Sequence, residues 1–85
     1  MIQIRKLVKT SDDRPTQWEG VVGDVGSFYA RYRHGELEAY VAEVSSDPIK
    51  DGVVIFSKKM GGRYDGAMET DQMKRALAGI VQFID

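Results

Sequence analysis

Ile2 and Ile4 alternate with Gln3 and Arg5, the period-two pattern of a strand with one buried face, and this predicts a first strand running from Ile2 to near Lys9. The polar stretch Thr10-Ser11-Asp12-Asp13-Arg14-Pro15 then reads as a loop, the segment expected to move most. Three segments, Thr16 to Val22, Ser27 to Arg33 and Glu36 to Val44, are rich in β-branched and aromatic residues and are separated by glycine-containing turns. They predict a three-stranded antiparallel meander. A two-residue turn at His34-Gly35 sets Arg33 opposite Glu36, Tyr32 opposite Leu37, Arg31 opposite Glu38 and Tyr29 opposite Tyr40. Phe28, Ala30, Tyr32, Leu37, Ala39 and Val41 then share one face, whereas a three-residue loop mixes the faces. A three-residue loop at Asp24-Val25-Gly26, with Gly26 in the left-handed position of a bulge, sets Val22 opposite Phe28, Gly20 opposite Ala30 and Trp18 opposite Tyr32. On the opposite face this register makes Glu19, Arg31 and Glu38 an alternating ladder and sets Tyr29 between Val21 and Tyr40.

Beyond the turn-forming stretch from Ser45 to Gly52, Val53-Val54-Ile55-Phe56 reads as a short strand buried on both sides, with no partner that the sequence identifies. The stretch Met60 to Gly66 is too glycine-rich for regular structure, although Gly61-Gly62 suits a brief hairpin. From Thr70, the residues Met73, Ala76, Leu77, Ile80, Val81 and Ile84 form a helical stripe, with Thr70 or Asp71 as its cap. The expected fold is α+β: an antiparallel sheet of about five strands, with one C-terminal amphipathic helix packed across Trp18, Val22, Phe28, Tyr32, Leu37 and Val41.

At 85 residues the chain has room for a single domain, residues 1–85, and its 42% hydrophobic and 29% charged residues are ordinary for a folded protein. The net charge of −1 disfavours a generic nucleic-acid or membrane coat. The middle of the chain is acidic and only Lys58, Lys59 and Arg63 form a basic cluster. There is no cysteine, which removes disulfides, thiolate metal sites and a cysteine nucleophile, and fits a reducing, cytoplasmic setting. No apolar run approaches a membrane span.

Tyr29, Arg31 and Arg33 project from one strand face, a composition that single-stranded nucleic-acid platforms use. Glu19, Glu36 and Glu38 neutralise the arginines, so a salt-bridged sheet face is the better reading. With Val21 and Tyr40 the same face makes an apolar patch ringed by charge, which suits a protein partner. Lys58, Lys59, Gly61, Gly62, Arg63 and Tyr64 combine cations with glycine amides and form the alternative, an anion, nucleotide or nucleic-acid site, without the Gly-Lys-Ser/Thr of a P-loop. Asp65, Glu69 and Asp71 do not match calcium-loop spacing and read as carboxylates at the start of the helix. His34 is the lone histidine, at a turn apex, and no serine has a base beside it.

Thr16-Gln17-Trp18-Glu19-Gly20, Tyr29-Ala30-Arg31-Tyr32-Arg33-His34-Gly35-Glu36-Leu37 and Asp65-Gly66-Ala67-Met68 resemble small hypothetical proteins of bacterial and phage genomes. The resemblance covers roughly the middle half of the chain and implies no catalytic or binding residue. It implies a phage or mobile-element setting, where compact domains bind host machinery. The expectation is a non-enzymatic protein without cofactor or metal that occludes or sequesters a host macromolecule through Val21, Tyr29, Arg31, Arg33 and Tyr40. Sheet edges left open make a homodimer a natural way to shield them.

Overall fold

The computed structural model describes residues 2–13, 15–23, 26–43, 52–62 and 66–84. Strands β1 (Ile2–Asp12), β2 (Thr16–Val22), β3 (Gly26–Arg33), β4 (Glu36–Glu43) and β5 (Val53–Lys59) are followed by helix α1 (Thr70–Leu77) and strand β6 (Val81–Phe83). They form one six-stranded sheet in the order β5-β4-β3-β2-β1-β6. The sheet curls into a half-barrel, and it is mixed: β6 runs parallel to β1, while the other pairs are antiparallel. The α+β reading holds, with six strands in place of about five.

The β3–β4 register is as the alternation predicts, from Arg33 opposite Glu36 to Phe28 opposite Val41. His34 (φ 55°) and Gly35 (φ 76°) both lie in the left-handed region, the signature of a type I′ turn, whose twist matches that of the flanking strands. Gly35 also receives the next segment: its carbonyl accepts hydrogen bonds from Met60 N (2.7 Å) and Gly61 N (3.0 Å). A Cβ at this position would collide with the carbonyl oxygens of Gly61 and Gly62.

The β2–β3 register is two residues away from expectation. Val22 pairs with Gly26, Gly20 with Phe28, Trp18 with Ala30 and Thr16 with Tyr32. Gly26 is a ladder residue and not the left-handed loop residue. A Cβ there would lie 2.8 Å from the Val22 carbonyl oxygen, so only glycine permits this close pairing, and the positive φ falls on Gly23. Residues 24 and 25, also part of the predicted loop, lie outside the described residues.

Strand β1 extends to Asp12, past the predicted end near Lys9, with pairing shifts between Arg5 and Val8 and between Lys9 and Ser11. The first shift, at left-handed Lys6 (φ 54°), inserts an extra residue and so turns Leu7 toward the core and Val8 away from it. Strand β5 corrects the expectation of a doubly buried strand: it is the sheet edge beside β4, and Val53 and Val54 are 66% and 52% exposed.

The C-terminal stripe is shorter as a helix than its periodicity predicts. Helix α1 ends at Leu77, Ile80 N bonds Leu77 O (3.0 Å), and the chain returns as β6. Val81 and Phe83 turn toward the core and Gln82 away from it, an alternation that a parallel partner in β1 rewards. The cap is Glu69, not Thr70 or Asp71; its backbone N–H donates to Gln72 Oε1 at 3.2 Å. Thr70 instead accepts a hydrogen bond from Trp18 Nε1 at 2.9 Å, tying the helix to β2.

The core lies on the concave face: Ile4, Trp18, Phe28, Ala30, Tyr32, Leu37 and Ala39 from the sheet pack with Met68, Met73, Leu77 and Val81. Phe83 meets Phe28 edge to face at 5.9 Å. Buried Thr16 fastens the segment before the helix: its hydroxyl oxygen accepts from Met68 N (3.1 Å) and lies 2.7 Å from Asp12 O and 3.0 Å from Gly66 O. Among the described residues no helix is long and apolar enough to cross a membrane.

The turn yields a stability test. Gly35→Ala is expected to cost about 2 kcal/mol or more, because strain and collision coincide, whereas His34→Gly relieves a left-handed side chain and leaves stability within about 1 kcal/mol of wild type or above it. Urea unfolding of both variants measures the difference, and equal losses would contradict the turn geometry.

Candidate functional site

Alternation along β3 sends Phe28, Ala30 and Tyr32 into the core and Ser27, Tyr29, Arg31 and Arg33 to the convex face. The register then builds cross-strand rows on that face. Tyr29 lies between Glu19 and Tyr40, Arg31 between Gln17 and Glu38, Ser27 between Val21 and Ala42, and Arg33 is opposite Glu36, which is itself opposite Lys59. The predicted set Val21, Tyr29, Arg31, Arg33 and Tyr40 therefore shares one face. The predicted three-member ladder does not form, because the two-residue shift puts Glu19 beside Tyr29 and gives Arg31 the neutral Gln17.

The centre of the face is a small polar network. Arg31 donates from a terminal guanidinium nitrogen to Glu38 Oε1 at 2.9 Å, and the Tyr40 hydroxyl donates to Glu38 Oε2 at 3.2 Å. Burial opposes the Arg31 charge, but the hydrogen bond and charge of Glu38 outweigh it and leave the pKa raised. The Tyr29 and Tyr40 rings meet at 6.1 Å, tilted by 42°. They are 6% and 9% exposed, so they pack as a second cluster apart from the core and do not form the open patch expected. Burial pushes both phenols above their ordinary range. At Tyr29 the positive charges of Arg31 and Arg33 oppose the shift while Glu19 and Tyr40 add to it; at Tyr40, Glu38 adds through charge and hydrogen bond.

Ser27 Oγ, Tyr29 Oη and Arg31 Nε are buried and have no hydrogen-bond partner, and they are the side-chain polar atoms in this condition among the described residues. They occupy alternate positions of one strand, on one face. In the sequence Ser27 starts a strand and has no base beside it, and its parity with Tyr29 and Arg31 places it in the same row. Where the β3–β4 turn meets β5, the face opens into a cleft of about 240 Å³ lined by Arg33, His34, Glu36, Glu38 and Lys59.

The basic segment does not assemble as a loop. Lys58 and Lys59 belong to β5, register with Leu37 and Glu36 respectively, and so stand on opposite faces. The Gly61 amide is committed to Gly35 and is not available to an anion nest; Gly62 is exposed, and Arg63 and Tyr64 lie outside the described residues. Among the described residues no group of three His, Cys, Asp or Glu side chains is placed to hold a metal ion. Comparison with known proteins finds no matching family model, no matching curated relative and no matching solved structure.

Glu38→Ala is expected to cost about 1 to 3 kcal/mol in chemical unfolding, because it leaves the part-buried Arg31 charge and the Tyr40 hydroxyl unpaired, while Glu38→Gln, which keeps an acceptor, loses less. A loss for Glu38→Ala below about 0.5 kcal/mol would make the pair surface decoration. The phenols give a second check. Their folded-state pKa values lie above the unfolded one, so they leave stability unchanged below the ordinary phenol range, and their contribution is lost as pH rises through the folded values. Ultraviolet titration of Tyr29→Phe and Tyr40→Phe against wild type is expected to show that each variant removes a late-titrating phenol.

Proposed function

We propose that this chain is a small non-enzymatic binding protein that engages a protein partner through the convex face of β3, with Tyr29, Tyr40, Arg31, Arg33 and Val21 supplying the contact. The observation that carries the reading is the row Ser27 Oγ, Tyr29 Oη and Arg31 Nε, buried and unpartnered on one strand. Leaving a buried polar atom unpaired costs about 1 to 3 kcal/mol, a large fraction of the stability of a domain this small. A strand selected for stability alone would carry alanine, phenylalanine or valine there. Tyrosine and arginine are also the side chains that concentrate binding energy at protein interfaces. Glu19 and Arg33, which share this face, are exposed, so an incoming polar group reaches the row by displacing surface side chains. A phage or mobile-element origin, a cytoplasmic setting and a role in occluding a host macromolecule belong to the same proposal. The alternative, a nucleic-acid or nucleotide site at Lys58 to Tyr64, has no comparable observation behind it.

The reading predicts opposite effects of one substitution on stability and on binding. Tyr29→Phe removes the unpartnered hydroxyl and is expected to stabilise the isolated chain by about 1 kcal/mol, and to weaken capture of a partner from lysate of the source organism. Ser27→Ala is expected to act in the same sense. A Tyr29→Phe protein that is less stable than wild type, or that retains the same proteins equally well, would sink the proposal.

A further inference from the structure

Strand β5 ends the sheet, and beyond it no described residue pairs with its outer edge. Of the large hydrophobic side chains left exposed, Val53, Val54 and Met60 cluster on β5 or directly after it. Ile55 and Phe56 are only half buried although they pack against the core. A row of unpaired backbone N–H and C=O groups fixes the kind of occupant, because another extended backbone satisfies such a row and a helix or a folded surface does not.

Charge narrows the choice further. The pairing shift opposite Ala39 and Tyr40 leaves Phe56–Lys59 as the regular stretch of the edge, and its last two positions are lysines. Pairing this stretch with the same stretch of a second copy would add two lysines to the two already on the edge with no acidic residue in either stretch to offset them, and edge lysines are one way natural strands resist self-association. An acidic strand meets the opposite condition. Lys58 offers its charge on the concave face and Lys59 on the convex face, where Lys59 stands opposite Glu36 and lines the cleft with Arg33, His34, Glu36 and Glu38. Successive side chains of an added strand point to alternate faces, so consecutive acidic residues would meet one lysine each.

We propose that the β5 edge accepts an extended peptide segment as an added strand, apolar where it passes Val53 and Val54 and acidic where it passes Lys58 and Lys59. The surface is distinct from the β3 row and holds or fails independently of it.

The test is a displayed library of short random linear peptides selected against the full chain, with the enriched peptides resynthesised. Enrichment of neighbouring Asp or Glu residues beside a β-branched or aromatic run is expected. Binding should fall at least about tenfold with Lys58→Glu/Lys59→Glu, whose positions are exposed, and stay unchanged with Arg75→Glu, a reversal of an exposed charge on the helix. N-methylation of alternate peptide amides, which leaves the protein untouched, should abolish binding in one phase and be tolerated in the other, since only one edge of the added strand faces β5. Failure to enrich any peptide, enrichment of basic ones, indifference to the lysine reversal, or equal effects of both methylation phases would each overturn the proposal. So would a salt-stable dimer in sedimentation that the lysine reversal dissociates, which would give the edge to a second copy.

Discussion

One short helix has to cover a six-stranded sheet, and the rest of the structure follows from that mismatch. An eight-residue helix is about 12 Å long, whereas six strands at their usual spacing are about 24 Å across. A flat sheet under such a helix would leave most of its apolar face in water. Curling brings Ile4, Trp18, Phe28 and Leu37 around Met73 and Leu77, and the returning strand β6 adds Val81 and Phe83 to the same enclosure. The cover runs out at the far side, where Val53 opposite Val41 remains exposed, and it does not extend to the convex face, where Val54 is exposed.

The two sides of β3 show how differently this chain treats polar atoms. On the concave side the Thr16 hydroxyl, fully buried on the neighbouring strand, accepts from Met68 N and lies against two carbonyl oxygens, so that the connection into the helix is fastened to the sheet. On the convex side a hydroxyl of the same kind, at Ser27, has no partner, nor has the phenol of Tyr29 two residues on. Glu38 accepts from one guanidinium nitrogen of Arg31 and from the Tyr40 hydroxyl, while Arg31 Nε has no acceptor. Among the described residues the deficit is thus confined to one strand and one face.

What the sequence made legible divides along physical lines. The β3–β4 register could be read because two constraints agree: the left-handed pair His34-Gly35 and the separation of apolar from charged residues. The β2–β3 register could not, because a shift of two residues preserves the face of every side chain and the apolar pattern is blind to it. A steric fact decided it, the space beside Val22 that admits Gly26 and no Cβ. The C-terminal stripe was ambiguous for a related reason. Val81 satisfies both a helical and an alternating pattern, and the choice fell to the open edge of β1, which lies at the other end of the chain. The apolar run of β5 suggested burial, yet burial depends on what lies beyond an edge, and a run of residues does not carry that information. Tyr29, Arg31, Arg33 and Tyr40 were found as a set because parity alone groups them; Ser27 has the same parity but too ordinary a side chain to stand out.

The cross-strand rows of the convex face run out to β5. Val8, Glu19, Tyr29, Tyr40 and Val54 form a single cross-strand row over five strands, with exposed valines at both ends and the paired tyrosines at its centre. The neighbouring row takes in Arg31 and Glu38 and ends at Ser57; the next, Arg33 and Glu36, ends at Lys59 in the cleft. A strand laid along β5 would add one position to each of these rows, and its outward side chains would stand beside Val54 and Lys59. The curl that gives the short helix enough surface to enclose therefore also leaves, on its outside, a continuous field of cross-strand rows that reaches from β1 to β5.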